Sequence, residues 1–208
     1  MRVYVARHGE TTWNLAGRYQ GRLESPLSPL GERQADALAD AMADRGVQRV
    51  ISSPLGRCME TARPTALRQR VTLETDPLLL EIAHGTWEGR LRDEIAANDP
   101  QRYHAWRNDP ANVGFDGGET LVDVRDRWRA FAAALQADAP TLVVTHDAVV
   151  RVALVEGTGG ALGGFWDARV ANGAFAEFDV DAHGWRLIVD HHDAHLGALK
   201  VSVEGQAL

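Results

Sequence analysis

The sequence predicts an α/β fold with a largely parallel central sheet flanked by helices. Three observations lead there. Short apolar runs alternate with stretches of helical period along most of the chain. The run ending at Ala6 is continuously apolar, as a buried strand requires, and the run over 141–145 is similar. His8 and His146 both fall just past a strand's carboxyl end, where such sheets bind their ligands.

The elements follow in order. Residues 2–6 form the first strand, and His8 lies on the loop beyond it. Ser28-Pro29 starts a helix, with Ser28 as N-cap and Pro29 at the first helical position. That helix runs to about Arg45 and stops at Gly46. Residues 47–51 read as a second strand, 55–69 as a helix and 71–74 as a third, short strand. Between 84 and 118, Gly85, Gly89, Pro100, Pro110, Gly114, Gly117 and Gly118 break the chain into loops and short helices, an insert or cap over the core. Thr120 and Asp123 make a capping-box-like start. Leu121, Val124, Trp128, Phe131 and Leu135 then recur at spacings of three and four, as on one face of a helix. A fourth strand spans 141–145 and a helix 148–156. Residues 174–180 and 185–189 read as an antiparallel pair turning at 181–184.

The 208 residues suit a single domain, 1–208, with about 84–118 as its cap. The composition is ordinary for a soluble globular protein, 45% hydrophobic and 25% charged. No apolar run reaches the roughly 18 residues of a membrane span, and the first residues read as a strand and not as a secretory signal. A formal charge of −7 argues against nucleic acid or an anionic membrane as a general partner. Cys58 is the only cysteine, which excludes an intrachain disulfide and a cysteine metal cage. A cytoplasmic enzyme is the simplest expectation. Lys200 is the only lysine, so the informative question is which arginines sit in a pocket.

Hydrolysis of a phosphate monoester makes specific demands. Cations and backbone N–H groups must hold the phosphoryl charge. A nucleophile must attack phosphorus in line, and a neutral imidazole can do so without a metal. The leaving alkoxide needs a proton, which a carboxyl group with a raised pKa supplies. His8 is the candidate nucleophile, Arg7, Arg57 and His146 the candidate cations, and Glu81 the candidate acid.

The segment Arg7-His8-Gly9-Glu10-Thr11-Thr12-Trp13-Asn14 resembles the signature of the histidine phosphatase superfamily, the phosphoglycerate mutase-like fold. Further blocks follow in family order. Gln20-Gly21 and Pro26-Leu27-Ser28-Pro29 resemble the next loop and helix start. Ser52-Ser53-Pro54-Leu55-Gly56-Arg57 resembles the second arginine block, and Leu80-Glu81 with Gly85-Thr86-Trp87-Glu88-Gly89 the acid block. Gly117-Gly118-Glu119-Thr120 resembles a helix entry, Val144-Thr145-His146-Asp147 the second histidine block, Asn172-Gly173 a later asparagine position, and Asp193-Ala194-His195-Leu196 a common ending of the phosphatase branch.

The resemblance implies a three-layer sandwich and no cofactor or metal. It implies that His8 becomes phosphohistidine, that Arg7, Arg57 and His146 bind the phosphoryl oxygens, and that Glu81 is acid and then base. Asn14, Gln20 and Gly21 line the pocket, the Asp147 backbone N–H donates to phosphate from a helix start, and Asn172 is a further pocket residue. The partner is a small-molecule phosphate ester, and a homodimer fits the fold. A cofactor-dependent phosphoglycerate mutase is the alternative. The stretch from Glu81 to His146 is short for one, and Asp147-Ala148 stands where such mutases carry Gly-Asn. A non-catalytic phosphate-binding module is a third reading. The Asp147 carboxylate is expected to point away from the phosphate or to select a substrate with a donor or positive group.

Other residues have blander readings. His84 either touches substrate or packs beside Trp87. The tryptophans are core or cap residues, Trp106 being the best candidate platform. Arg90, Arg92, Arg102 and Arg107 are solvated by default. The tail from Asp190 to His195 has no trusted metal-ligand spacing and takes a structural role. Cys58 is a small core residue.

Overall fold

A computed structural model describes residues 1–135, 138–201 and 206. The sheet has six strands. In chain order they are β1 (Arg2–Arg7), β2 (Arg49–Ser52), β3 (Leu73–Thr75), β4 (Thr141–Thr145), β5 (Phe175–Asp181) and β6 (Gly184–His192). Across the sheet the order is β3-β2-β4-β1-β5-β6. The first four run parallel, and β5 and β6 close one side as an antiparallel pair beside β1. The seven α-helices among the described residues are α1 (Thr12–Ala16), α2 (Pro29–Met42), α3 (Gly56–Gln69), α4 (Arg92–Asn98), α5 (Pro100–Asn108), α6 (Leu121–Ala134) and α7 (Asp147–Thr158).

The alternation of β1 fixes the layers. Val3 and Val5 join a core with Trp128 and Phe131 of α6 and Val149 and Val152 of α7. Tyr4 and Ala6 join a second core with Leu38 and Met42 of α2 and Cys58 and Ala62 of α3. A strand that is apolar at every position is thus one buried on both faces, between helices. The result is the α/β sandwich with a mixed, mainly parallel sheet that the sequence predicts.

The caps hold where the sequence places them. Ser28 Oγ accepts from Gly31 N at 3.0 Å, with Pro29 at the first position of α2. Thr120 and Asp123 bond reciprocally at the start of α6, at 2.8 and 3.2 Å. The boundaries differ in places. The α2 helix ends at Met42, and tight turns carry the chain to Gly46, whose φ is +63°. The β2 strand starts at Arg49 because its ladder to β4 begins at Thr141. The β6 strand continues past 189 to His192, which pairs with Phe175.

The insert is more ordered than a string of breakers suggests, since α4 and α5 lie within it. It is held by aromatic side chains: Trp87, Trp106, Phe115 and Phe165 are buried, with Trp106 5.2 Å from Phe115 and 5.5 Å from Phe165. Trp106 is therefore packing for the cap.

Leu38 is fully buried between α2 and the sheet. Leu38→Ala is expected to cost about 2–5 kcal/mol through lost transfer energy and a residual cavity. Denaturant unfolding of the two proteins checks this.

Candidate active site

Strand register builds the site. β1 and β4 pair with Arg7 opposite Thr145, so the next residues, His8 and His146, leave the sheet side by side. The His8 N–H donates to Thr145 O at 2.9 Å, and the two imidazoles lie 5.3 Å apart edge to face. β2 pairs with β4 up to Ser52 opposite Val144, and Ser53 N donates to Val144 O at 2.9 Å. The first turn of α3 then supplies Arg57, and α7 opens at Asp147.

The loop after β1 is locked by close approach. A Cβ on Gly9 would stand 2.5 Å from the carbonyl oxygen of Gly31, so that position tolerates only glycine without backbone movement. Glu10, which carries no assigned role in the sequence reading, ties the loop to α2. Its Oε1 accepts from Ser28 Oγ at 2.7 Å and its N–H donates to Gln34 Oε1 at 2.8 Å.

His8 is buried, and its Nδ1 lies 2.7 Å from the Gly9 carbonyl oxygen. A carbonyl only accepts, so Nδ1 carries the proton and Nε2 keeps a free lone pair. Burial and then the charges of Arg57 and Arg7 hold its pKa well below the usual histidine value.

Arg57 donates from Nη1 to Leu23 O at 2.9 Å, from Nη2 to Gly21 O at 2.7 Å, and from Nε to His146 Nδ1 at 3.3 Å. With Nδ1 accepting, His146 donates from Nε2 to Ser53 Oγ at 2.8 Å. Burial, Arg57 and His8 depress its pKa strongly. His146 is thus a neutral ring in this state, whereas the sequence reading expects a cation; a bound phosphoryl anion would favour the imidazolium.

Arg7 is fully buried. Its Nη1 donates to Val170 O at 2.9 Å and its Nη2 to Gln206 Oε1 at 2.6 Å, leaving Nε as a buried donor without a partner. Glu81 is buried too. Burial, then the charge of Asp147, raise its pKa to about 7 against the opposing effects of the Ile82 N–H, Arg57 and Arg127.

Arg7, His8, Asn14, Gln20, Gly21, Arg57, Glu81 and His84 line one small cavity of about 10 Å³. That is the room of about one water, so an ester enters only if side chains at the rim move. A larger groove, about 430 Å³, lies between α2 and α3 along Asp36 and Leu67 and holds none of these groups. Chemistry, and not volume, marks the site. Asn14 Nδ2 and both ring nitrogens of His84 share with Arg7 Nε the condition of buried polar atoms without partners. Native proteins leave few such atoms, and three residues around one cavity await a ligand's oxygens or protons.

His84 packs against Tyr19, Phe115 and Trp106 at 5.0, 4.8 and 5.8 Å, and its pKa falls to about 3 through burial. His84 thus packs in the aromatic cluster and also lines the cavity.

Asn172 supports the loop from outside the cavity. Its Nδ2 donates to His8 O at 3.2 Å and to Asn14 Oδ1 at 3.4 Å. The Asp147 carboxylate is taken up by Arg7 and Arg151 inside the protein. Arg90, Arg92, Arg102 and Arg107 do not line the cavity. The tail histidines have local partners: His192 pairs with Glu177 at 3.3 Å and His195 Nε2 donates to Gly173 O at 2.9 Å. Among the described residues no group of three or more His, Cys, Asp or Glu is placed to hold a metal.

Two residues escape sequence reasoning. Ser53 sits inside a quoted block, so only its hydrogen bond to His146 is new. Gln206 follows no motif; it is buried, and its Nε2 donates to Asn172 Oδ1 at 2.7 Å while its Oε1 takes Arg7. Cys58 is a core residue as expected, and its Sγ also lies 3.4 Å from His146 Nε2.

A neutral imidazole with a free Nε2, two guanidiniums and a buried carboxyl of raised pKa gather around one cavity at the end of a parallel sheet. Residues 3–191 match the histidine phosphatase superfamily (branch 1), and the chain belongs to that family. It is 29% identical to Phosphoserine phosphatase 1 of Hydrogenobacter thermophilus, over 97% of each chain. It is 39% identical to a protein named Probable phosphoglycerate mutase GpmB of Proteus mirabilis, over 70% of this chain and 69% of that one. The solved structure of Bacillus stearothermophilus YhfR superposes with a TM-score of 0.89 at 27% identity, covering 94% of this chain and 98% of that one. The protein is thus a histidine-type phosphatase by family.

Proposed function

We propose that the protein transfers the phosphoryl group of a small polar phosphate monoester to Nε2 of His8 and then to water. The bond from His8 Nδ1–H to Gly9 O carries this reading, because it leaves Nε2 with its lone pair inside the cavity that Arg7, Arg57 and Glu81 share. The Nε2 lone pair attacks phosphorus as the ester P–O bond breaks. The Glu81 proton passes to the leaving oxygen, giving the free alcohol. The phosphorylated ring is cationic, and Gly9 O continues to accept from its Nδ1–H. Glu81, now a carboxylate, takes a proton from water as the water oxygen attacks phosphorus and the P–N bond breaks.

Arg7 Nε and the remaining donors of Arg57 hold the phosphoryl oxygens through the transfer. Asn14 Nδ2, Gln20 and Gly21 complete the pocket, and Asp147 N–H is among the unpaired donors at the start of α7. The match to a phosphoserine phosphatase extends over nearly all of both chains, whereas the match to a mutase-named relative covers about two thirds. That difference favours water as the acceptor. His84 supports a polar leaving group. Its neutral ring offers one donor and one acceptor with nothing in the protein to meet them.

A chromogenic aryl phosphate in EDTA tests the reaction. Wild-type protein is expected to release inorganic phosphate and, on rapid quenching, to carry phosphate on His8 Nε2; His8→Ala is expected to do neither. Turnover by His8→Ala sinks the mechanism, and transfer between phosphoglycerates without hydrolysis makes the protein a mutase.

The pH profile has a defined sign. The acid form of Glu81 dominates below about pH 7, and His8, with its depressed pKa, is neutral throughout that range. Corrected for ionisation of the ester, kcat/KM is expected to stay high on the acid side of neutrality and to fall about tenfold per unit well above pH 7. Glu81→Gln is expected to remove that alkaline limb and lower kcat by about 10²–10⁴.

His84→Phe keeps the aromatic cage and removes both ring nitrogens. The ratio of kcat/KM for polar phosphate esters to that for an aryl phosphate is expected to fall about 10- to 100-fold. A panel giving the wild-type ratio removes His84 from substrate contact.

A further inference from the structure

Asp147 puts a carboxylate beside an anion-binding pocket, where it opposes the substrate's own charge. It is 1% exposed and lines no part of the cavity. A carboxylate buried this deeply needs partners, and two guanidiniums supply them. Its Oδ1 accepts from Arg151 Nε at 2.5 Å, one turn along α7. Its Oδ2 lies 3.2 Å from Arg7 Nη1. Arg151 is anchored in turn, donating from Nη1 to the carbonyls of Phe165, at 3.3 Å, and Ala168. A chain of fixed groups therefore runs from the segment after α7, through Arg151 and Asp147, to Arg7.

The consequence for Arg7 is directional. Hydrogen bonds to Val170 O and Gln206 Oε1 hold Nη1 and Nη2, and Asp147 Oδ2 lies against Nη1 as an ion pair at 3.2 Å. A guanidinium is planar, so fixing both Nη atoms fixes Nε, the donor left for a ligand.

We propose that Asp147 is a positioning residue for phosphoryl transfer: clamped between Arg151 and Arg7, it aims Arg7 Nε at the phosphoryl group and sets a fixed negative charge behind Arg7, one guanidinium away from the cavity that the general acid Glu81 lines. This rests on the reaction proposed above. The charge disfavours ionisation of Glu81 and so extends the pH range over which a proton is available to the leaving oxygen. The groups acting on Glu81 are Asp147 from α7, Arg57 from α3, Arg127 from α6 and the Ile82 N–H from its own loop. Those acting on Asp147 are Arg7 from β1, Arg151 from α7 and Glu81 itself.

The test compares pH profiles of kcat/KM for an aryl phosphate in the wild type, Asp147→Asn and Arg151→Gln. Asp147→Asn keeps the shape and removes the charge. Its alkaline limb is expected to move about 0.5–1 unit to lower pH, with kcat/KM about tenfold down above neutrality. Arg151→Gln leaves the carboxylate with one neutralising partner fewer, so its limb is expected to move to higher pH. A structural role alone predicts that both variants lose activity in step with thermal stability and keep the wild-type limb. That result overturns the proposal, as do shifts in the same direction. Failure of both variants to fold also overturns it, by making the pair purely architectural. Quenched phosphoenzyme in the wild type separates the outcomes: its absence defeats the reaction itself, whereas its presence with unmoved limbs defeats only the role of Asp147.

Discussion

The parallel pairing of β1 with β4 is the constraint on which the rest depends. Every group in the cavity is placed relative to two histidines that leave neighbouring strands at the same level. A slip of one residue in that ladder would exchange the faces of β1, moving Val3 and Val5 into the layer that Tyr4 and Ala6 occupy. The packing of both cores against both faces therefore holds the catalytic geometry. The β2–β4 ladder adds Ser53 by the same means; Arg57 Nε, which can only donate, makes His146 Nδ1 the acceptor, and the Ser53 hydroxyl then accepts from Nε2. Backbone register and side-chain tautomer are linked here without any flexible intermediary.

The second determinant is dryness. His8, His146, Glu81 and Arg7 are all buried, and burial is the largest influence on each of their pKa values. It acts in opposite senses on base and acid. Burial favours the neutral form of the histidines and the protonated form of the carboxyl, the states that the proposed nucleophile and proton donor need. One environment thus prepares both reactants, and the aromatic cap of Trp87, Trp106 and Phe115 helps to maintain it.

Much of this was legible in the sequence, for identifiable reasons. The α2 and α6 helices carry both side-chain caps and helical periodicity, and β1 and β4 are short apolar runs, so local pattern and tertiary role agree. His8, Arg57, Glu81 and His146 were recognisable because each stands in a block of distinctive residues. The five-residue α1 was not, because its start is a capping box of Thr11 and Asn14 inside a segment otherwise read as a motif. The helices of the insert have few apolar positions and gain their stability from tertiary aromatic contacts. Gln206 was illegible because its role exists only through contact with Arg7 and Asn172, more than thirty residues away in sequence. The partner of Asp147 was illegible for the same reason: spacing alone suggests Arg151 at i+4, but not Arg7 across the sheet.

The charges around the cavity explain why these pieces belong together. Among Arg7, Arg57, Arg151 and Asp147, three positive charges meet one negative charge, a net of two positive charges within this group. Arg127 and Arg22 share Glu119, at 3.1 and 2.8 Å. A phosphate monoester near neutral pH carries about 1.5–2 negative charges. In a dry pocket that match matters more than in water, because uncompensated charge is costly there. An ionised Glu81 would disturb the match by adding a further negative charge when substrate is bound. The protonated acid that chemistry requires for the leaving oxygen is therefore also the state that electrostatic balance prefers. Once the alcohol has taken that proton, Glu81 becomes anionic as the imidazole becomes cationic, and the balance is preserved through the step. In the proposed reaction, binding and proton transfer thus draw on the same buried charges, Asp147 among them.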